Sequence, residues 1–122
     1  MQRITITAGI GEDRYGNPLQ AQDVQTALAG IRATLAGAFG GYTELETYGG
    51  WLTDAGELVT EPGRRWIALT DKPAREADPA AETVAEYVRD VLKQVSVVLE
   101  TETVHGRFIA EPAVAEPVRQ VA

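Results

Sequence analysis

A two-layer α+β fold, with elements in the order β-α-β-β-α-β, is predicted by three observations in this sequence. The first is strict alternation at the N-terminus: Ile4, Ile6 and Ala8 share one side of residues 2–8, and Arg3, Thr5 and Thr7 the other. A period of two marks a strand with one buried face. The second is a pair of helical stripes, Val24, Leu28, Ile31 and Leu35, then Val84, Val88, Val91 and Val95, each spaced by three or four residues. The third is a hairpin pattern, in which two β-favouring stretches, 42–51 and 64–70, flank a turn at Asp54-Ala55-Gly56.

In chain order, the first strand runs into a loop over 9–18, which carries three glycines and a proline. Asn17-Pro18 carries the cap-then-proline signature of a helix start. The stripe, flanked by Leu19 and Phe39, runs to Gly40-Gly41, which supply the stop. The second and third strands then form a hairpin with a long, glycine-bearing tip. Asp78-Pro79 repeats the cap-then-proline signature and predicts the second helix from there to about Val95. A fourth strand follows over 96–104, and the pattern allows it to continue past a Gly106 interruption to Ile109. The order is the split β-α-β, ferredoxin-like arrangement. One domain over 1–110 is expected, with 111–122 as a C-terminal tail or oligomerisation arm.

Composition narrows the function classes. With 44% apolar and 24% charged residues the chain can build a core, so wholesale disorder is excluded. It has no cysteine, which excludes disulfide scaffolds, zinc ribbons and thiol chemistry. No apolar run reaches the length of a membrane span, and Met1 leads directly into a strand, so a cytoplasmic protein with no membrane partner is expected. Eighteen acidic residues against eleven basic ones give a net charge of −7, which disfavours duplex nucleic acid. It leaves room for one small anion in a local arginine pocket. Trp66–Leu69 and Val97–Leu99 are apolar on both sides, and such strands are usually covered on both faces. A homo-oligomer is therefore predicted.

The motifs are few. Gly9-Ile10-Gly11-Glu12-Asp13-Arg14 has the strand-to-helix context of a dinucleotide fingerprint. Arg14 replaces the third glycine, however, and two carboxylates sit where a pyrophosphate would approach, so a turn-rich connection is the better reading. The carboxylates of Glu44/Glu46 and Glu100/Glu102 alternate along strands, an arrangement that two neighbouring strands could turn to a divalent ion. Such pairs more often make a solvated face, and no metal is predicted. His105 stands alone, Ser96 is the only serine, and no nucleophile, P-loop or zinc motif occurs. No catalytic residue and no cofactor are therefore assigned, and at least one of Trp51 and Trp66 is expected in the core. Tyr15, beside Arg14 in the glycine-rich loop, and Tyr87, flanking the second stripe, are candidate stacking walls for a nucleotide-derived ligand. Arg64, Arg65 and Arg107 are candidate phosphate contacts.

Phe39-Gly40-Gly41-Tyr42-Thr43, Gly50-Trp51, Asp54-Ala55-Gly56 and Glu61 together resemble a signature of small phage and bacterial domains of this layout. Within that group, size, acidity and layout are similar to the phage Thoeris anti-defence sponges. That resemblance implies an oligomeric phage protein of the host cytoplasm that binds a cyclic ADP-ribose-type signal without cleaving it. Two other classes stay open: a small dimeric ferredoxin-like enzyme, with His105, Tyr42 or a carboxylate moving a proton, and an assembly module without ligand.

Overall fold

The structure is a computed structural model and describes residues 1–112. Strand β1 (Gln2–Gly9) leads to helix α1 (Ala21–Phe39), the hairpin strands β2 (Thr43–Leu52) and β3 (Leu58–Thr70), helix α2 (Ala74–Val91) and strand β4 (Val98–Thr103). The sheet order is β2-β3-β1-β4, and every neighbouring pair is antiparallel. This is the ferredoxin-like fold expected from the sequence. Both helices cover one sheet face and leave the other open.

The alternation of β1 builds the interface between the layers. Ile4, Ile6 and Ala8 are buried, with Trp66 and Ala68 beside them on β3. Against this floor α1 sets Val24, Leu28, Ile31 and Leu35, and α2 sets Ala77, Ala81, Val84 and Val88. Gly40 ends α1 in the left-handed conformation, φ 87°, and donates its N–H to the Ala36 carbonyl at 2.9 Å. A side chain there would be strained, so the Gly40-Gly41 stop read from the sequence has a backbone cause.

Several boundaries move. Helix α1 begins at Ala21, not at Pro18, because Pro18 is engaged in a bridge with Glu12 and the Leu19 N–H donates to the Gly11 carbonyl at 2.9 Å. Helix α2 begins at Ala74, with Pro79 inside it. The missing Pro79 N–H frees one carbonyl at exposed Arg75, where water can serve it. The helix ends at Val91 rather than Val95. Lys93, at φ 53°, turns the chain away and leaves Val95 79% exposed. Strand β4 is shorter than expected, and residues 104–112 are not strand. The expected arm over 111–122 lies, apart from its first two residues, outside the described residues.

The hairpin is longer than expected, and that shapes the site. β2 and β3 pair from Thr43↔Ile67 to Leu52↔Leu58, so the supposed long tip is mostly strand. The turn that closes it is tight: the Thr53 and Gly56 N–H groups donate to the Glu57 and Thr53 carbonyls, both at 2.9 Å. β1 reaches only Gly9↔Gly63. Beyond that register β2 and β3 project as a two-stranded ribbon past the end of the sheet. Gly63 marks the crossover, since a Cβ there would lie 2.6 Å from the Ala8 carbonyl oxygen and from Thr47 Oγ1.

Candidate functional site

Three segments meet where the ribbon leaves the sheet. Ribbon residues Trp51, Val59 and Glu61 form one wall, and the β1–α1 loop supplies Glu12, Asp13, Arg14 and Gly16. The α2–β4 connection and the start of β4 close the third side with Gln94, Val95, Ser96 and Val98. They enclose a hollow of about 710 Å³, a size that suits a small organic ligand.

The loop is ordered by its own sequence. Asp13 Oδ1 accepts the N–H groups of Tyr15 at 2.9 Å and Asn17 at 3.0 Å, and the Asp13 N–H donates to the Asn17 carbonyl at 2.8 Å. The backbone N–H of Asn17 is the main influence holding the Asp13 carboxyl below its ordinary value, so the group faces the hollow as a carboxylate. Two bonds fasten the loop to the opposite wall: the Arg14 N–H donates to the Lys93 carbonyl and Gln94 Nε2 to the Glu12 carbonyl, both at 2.7 Å.

The charge pattern of the hollow is one-sided. Three carboxylates, Glu12, Asp13 and Glu61, line it beside one guanidinium, Arg14. Trp51, 53% exposed, is the aromatic surface. Carboxylates around an indole suit a ligand with a positive centre, through charge pairing and cation–π attraction. They oppose a phosphate.

The five residues singled out from the sequence are not brought together. Tyr15 is 80% exposed at the tip of the loop. Tyr87 packs in the helix layer, its hydroxyl against Gly30 of α1, where a Cβ would collide with it. Arg64 points to the helix side and its neighbour Arg65 to the open face, as successive strand residues must. Arg64 donates to its neighbour Gly63's carbonyl at 3.0 Å and lies within ion-pair reach of Glu44 and Glu46; Arg65 donates to Thr7 Oγ1 at 3.1 Å. Arg107 follows β4 at the other end of the sheet, where neighbouring Gly106 approaches Met1. Of the two tryptophans, Trp66 is core and Trp51 is not. Trp51 and Glu61 carry no local sign of a site role, because that role depends on how far the ribbon projects. The pairing of Glu61 with Gly49, beyond the end of β1, is the feature that reveals it.

The alternating carboxylates also separate. β2 and β4 are opposite edges of the sheet, so Glu44/Glu46 and Glu100/Glu102 are not neighbours. Glu44 is instead the hub of a polar cluster under α1. Its Oε1 accepts from Arg32 Nε at 3.0 Å and Trp66 Nε1 at 2.7 Å, and its Oε2 from Arg32 Nη2 at 2.7 Å. Arg64 Nε is 3.8 Å from Oε2 and has no hydrogen-bond partner. On the open face, Glu102 pairs with Arg3. Among the described residues no group of three His, Asp or Glu side chains is placed to hold a metal ion, and no helix is long and apolar enough to cross a membrane.

No family model and no curated protein matches the chain. Solved structures do share its fold. A phage SAM lyase in complex with S-methyl-5′-thioadenosine superposes with a TM-score of 0.63 at 19% identity, covering 83% of this chain and 79% of that one. The apo state of a phage SAM lyase gives 0.62 at 19%, covering 83% and 78%. The periplasmic divalent cation tolerance protein CutA from Archaeoglobus fulgidus gives 0.54 at 8%, covering 88% of each chain. The expectation of a protein without enzymatic activity is corrected by the first two: this chain shares its fold with enzymes, and a lack of recognisable catalytic motifs is no argument against chemistry on it.

Proposed function

We propose that the protein is a lyase acting on S-adenosylmethionine or a closely related sulfonium nucleoside, with the hollow beside Trp51 and Glu61 as its substrate site. The observation that carries this reading is the charge of the hollow, three carboxylates and an indole against one arginine. S-Adenosylmethionine combines an aromatic base with a permanent sulfonium charge, and it carries net positive charge at neutral pH. The likeness of fold to the phage SAM lyases adds support from an independent direction.

The chemistry asks little of the protein. When the bond between sulfur and the four-carbon chain breaks, both electrons pass to sulfur, and the sulfonium becomes the neutral thioether S-methyl-5′-thioadenosine. The carbon left behind is satisfied either by loss of a neighbouring proton or by closure onto the substrate's own carboxylate. No oxidant, reductant or cofactor enters the balance. Binding that aligns the four-carbon chain and excludes water is the protein's main contribution.

Incubation of the purified chain with S-adenosylmethionine, followed by mass spectrometry of the small molecules, tests the reading. Formation of S-methyl-5′-thioadenosine above the spontaneous rate is expected, at a rate proportional to protein concentration. Quantitative recovery of intact S-adenosylmethionine overturns it.

A further inference from the structure

We propose that Gly9 and Gly11 form a cradle that fixes the Glu61 carboxylate at the wall of the hollow, which makes them positioning residues of the site. This rests on the reading above for its functional meaning, but its geometry stands alone. Neither glycine has the positive φ that would demand glycine for backbone reasons; among the described glycines that holds at Gly16, Gly40 and Gly56. What demands glycine is space. A Cβ on Gly9 would overlap Glu61 Oε1 and lie 2.8 Å from Oε2. A Cβ on Gly11 would lie 3.2 Å from both Glu61 Cβ and Oε2, and 3.3 Å from Pro62 Cδ.

Two hydrogen bonds lock the arrangement. The Gly11 N–H donates to Glu61 Oε2 at 3.3 Å, and the Ile10 N–H donates to the Pro62 carbonyl at 2.9 Å. The Gly-Ile-Gly turn thereby wraps the ribbon at Glu61-Pro62, just beyond the last pair of β1 with β3. This absorbs the motif that resembled a nucleotide fingerprint. The backbone amide that would meet a phosphate meets an internal carboxylate instead, and that carboxylate lines the hollow.

At Gly9 the atoms in the way are the far end of a flexible side chain, so alanine is accommodated by displacement of the carboxylate and not by loss of the fold. A crystal structure of Gly9→Ala is expected to show Glu61 in another rotamer, out of hydrogen-bond reach of the Gly11 N–H. In S-adenosylmethionine cleavage, Gly9→Ala and Glu61→Gln should each lower kcat/KM about tenfold, and the double variant should fall no further, as expected for residues that act as one unit. Gly37→Ala, a helical glycine with nothing within 4 Å of its added Cβ, is the control and should leave the rate unchanged. If Gly9→Ala fails to fold, Gly11→Ala is read in its place, with the same cycle and a smaller displacement. An unmoved Glu61 carboxylate in the alanine variant, or additive losses in the cycle, overturns the cradle. A displaced carboxylate in a protein that never cleaves S-adenosylmethionine upholds the cradle and rejects the lyase reading.

Discussion

Removing the carboxylate of Glu44 should destabilise the fold by an amount the geometry allows us to estimate. Glu44 is 19% exposed and accepts three hydrogen bonds, two from Arg32 and one from Trp66 Nε1. Arg32, 36% exposed, regains water when its partner goes, so its share is small, about 1 kcal/mol or less. Trp66 is 1% exposed and cannot recover in that way. An indole N–H left buried without an acceptor costs about 1–3 kcal/mol. Glu44→Ala should therefore cost about 3 kcal/mol, which lowers a urea midpoint by roughly 1–3 M at the slopes usual for a small domain. Glu44→Gln retains an acceptor and should cost about 1 kcal/mol. Acid provides a second reading of the same cluster. Hydrogen bonds from Arg32 hold the Glu44 carboxyl below its ordinary value of 4.5. A depressed carboxylate contributes stability above that ordinary value and loses it as pH falls through the folded-state value. The stability gap between wild type and Glu44→Gln should therefore narrow below about pH 4.5 and be constant above it. Urea titrations followed by tryptophan fluorescence at several pH values measure both effects. A Glu44→Ala variant within 1 kcal/mol of wild type, with Trp66 still buried, refutes the reasoning.

Two further predictions follow from the hollow and the open face. Glu61→Gln should weaken binding of S-adenosylmethionine about tenfold or more, since a cation about 4 Å from a carboxylate near a protein surface is worth up to about 4 kcal/mol before screening. Binding of neutral S-methyl-5′-thioadenosine should be almost unchanged, and calorimetry showing equal losses for both ligands defeats this account of the charge. The open face carries Leu45 at 46% and Val98 at 56% exposure, with Ile67 and Leu69 half-buried between them. We expect a second copy of the chain to cover it. Light scattering should give more than one chain per particle at micromolar concentration, Leu45→Lys should shift the mass toward one chain, and a monomeric wild type rejects the expectation.

The fold was legible because local pattern and tertiary role coincide in it. Ile4, Ile6 and Ala8 alternate because one face of β1 meets the helices, and Val24, Leu28, Ile31 and Leu35 repeat because one side of α1 meets the sheet. The boundaries were less legible where one signature serves two geometries. Asp78-Pro79 has the form of a helix start, yet α2 accepts proline at its sixth residue, where Pro79 and Arg75, whose carbonyl lacks the Pro79 N–H as a partner, are both exposed residues. Asn17-Pro18 also has that form, but the Asp13 carboxylate captures the Asn17 N–H and bends the segment into the loop instead. The site was legible only in fragments. Trp51 lies on a strand that the sequence delimits to within a residue, but Glu61 lies on the part of β3 that no local pattern announced, and the segment contributing Gln94, Val95 and Ser96 reaches the hollow because Lys93 turns the chain there.

The five residues expected to hold an anionic ligand are spread over the fold, and the charge balance of the chain bears on the kind of ligand the hollow suits. In a chain with 18 carboxylates and 11 cationic side chains, acids outnumber the cations that could pair with them. Arg3 is taken by Glu102, Arg32 by Glu44 and Arg89 by Asp90, and Arg64 lies between Glu44 and Glu46. Once such pairs are made, what remains over is negative. A concavity built from the remainder is acidic unless the fold gathers cations there on purpose, and here Arg14 is the lone cation among the lining residues. Even Arg14 lies in the field of Asp90, whose carboxyl is held low chiefly by the Arg89 hydrogen bond and further by Arg14. A polyphosphate entering the hollow would therefore meet net repulsion, whereas a sulfonium would meet attraction that disappears once cleavage makes the sulfur neutral. On the proposed lyase reading, the same charges that draw the substrate in would leave the thioether product with one contact fewer, and release would follow from the chemistry with no moving part.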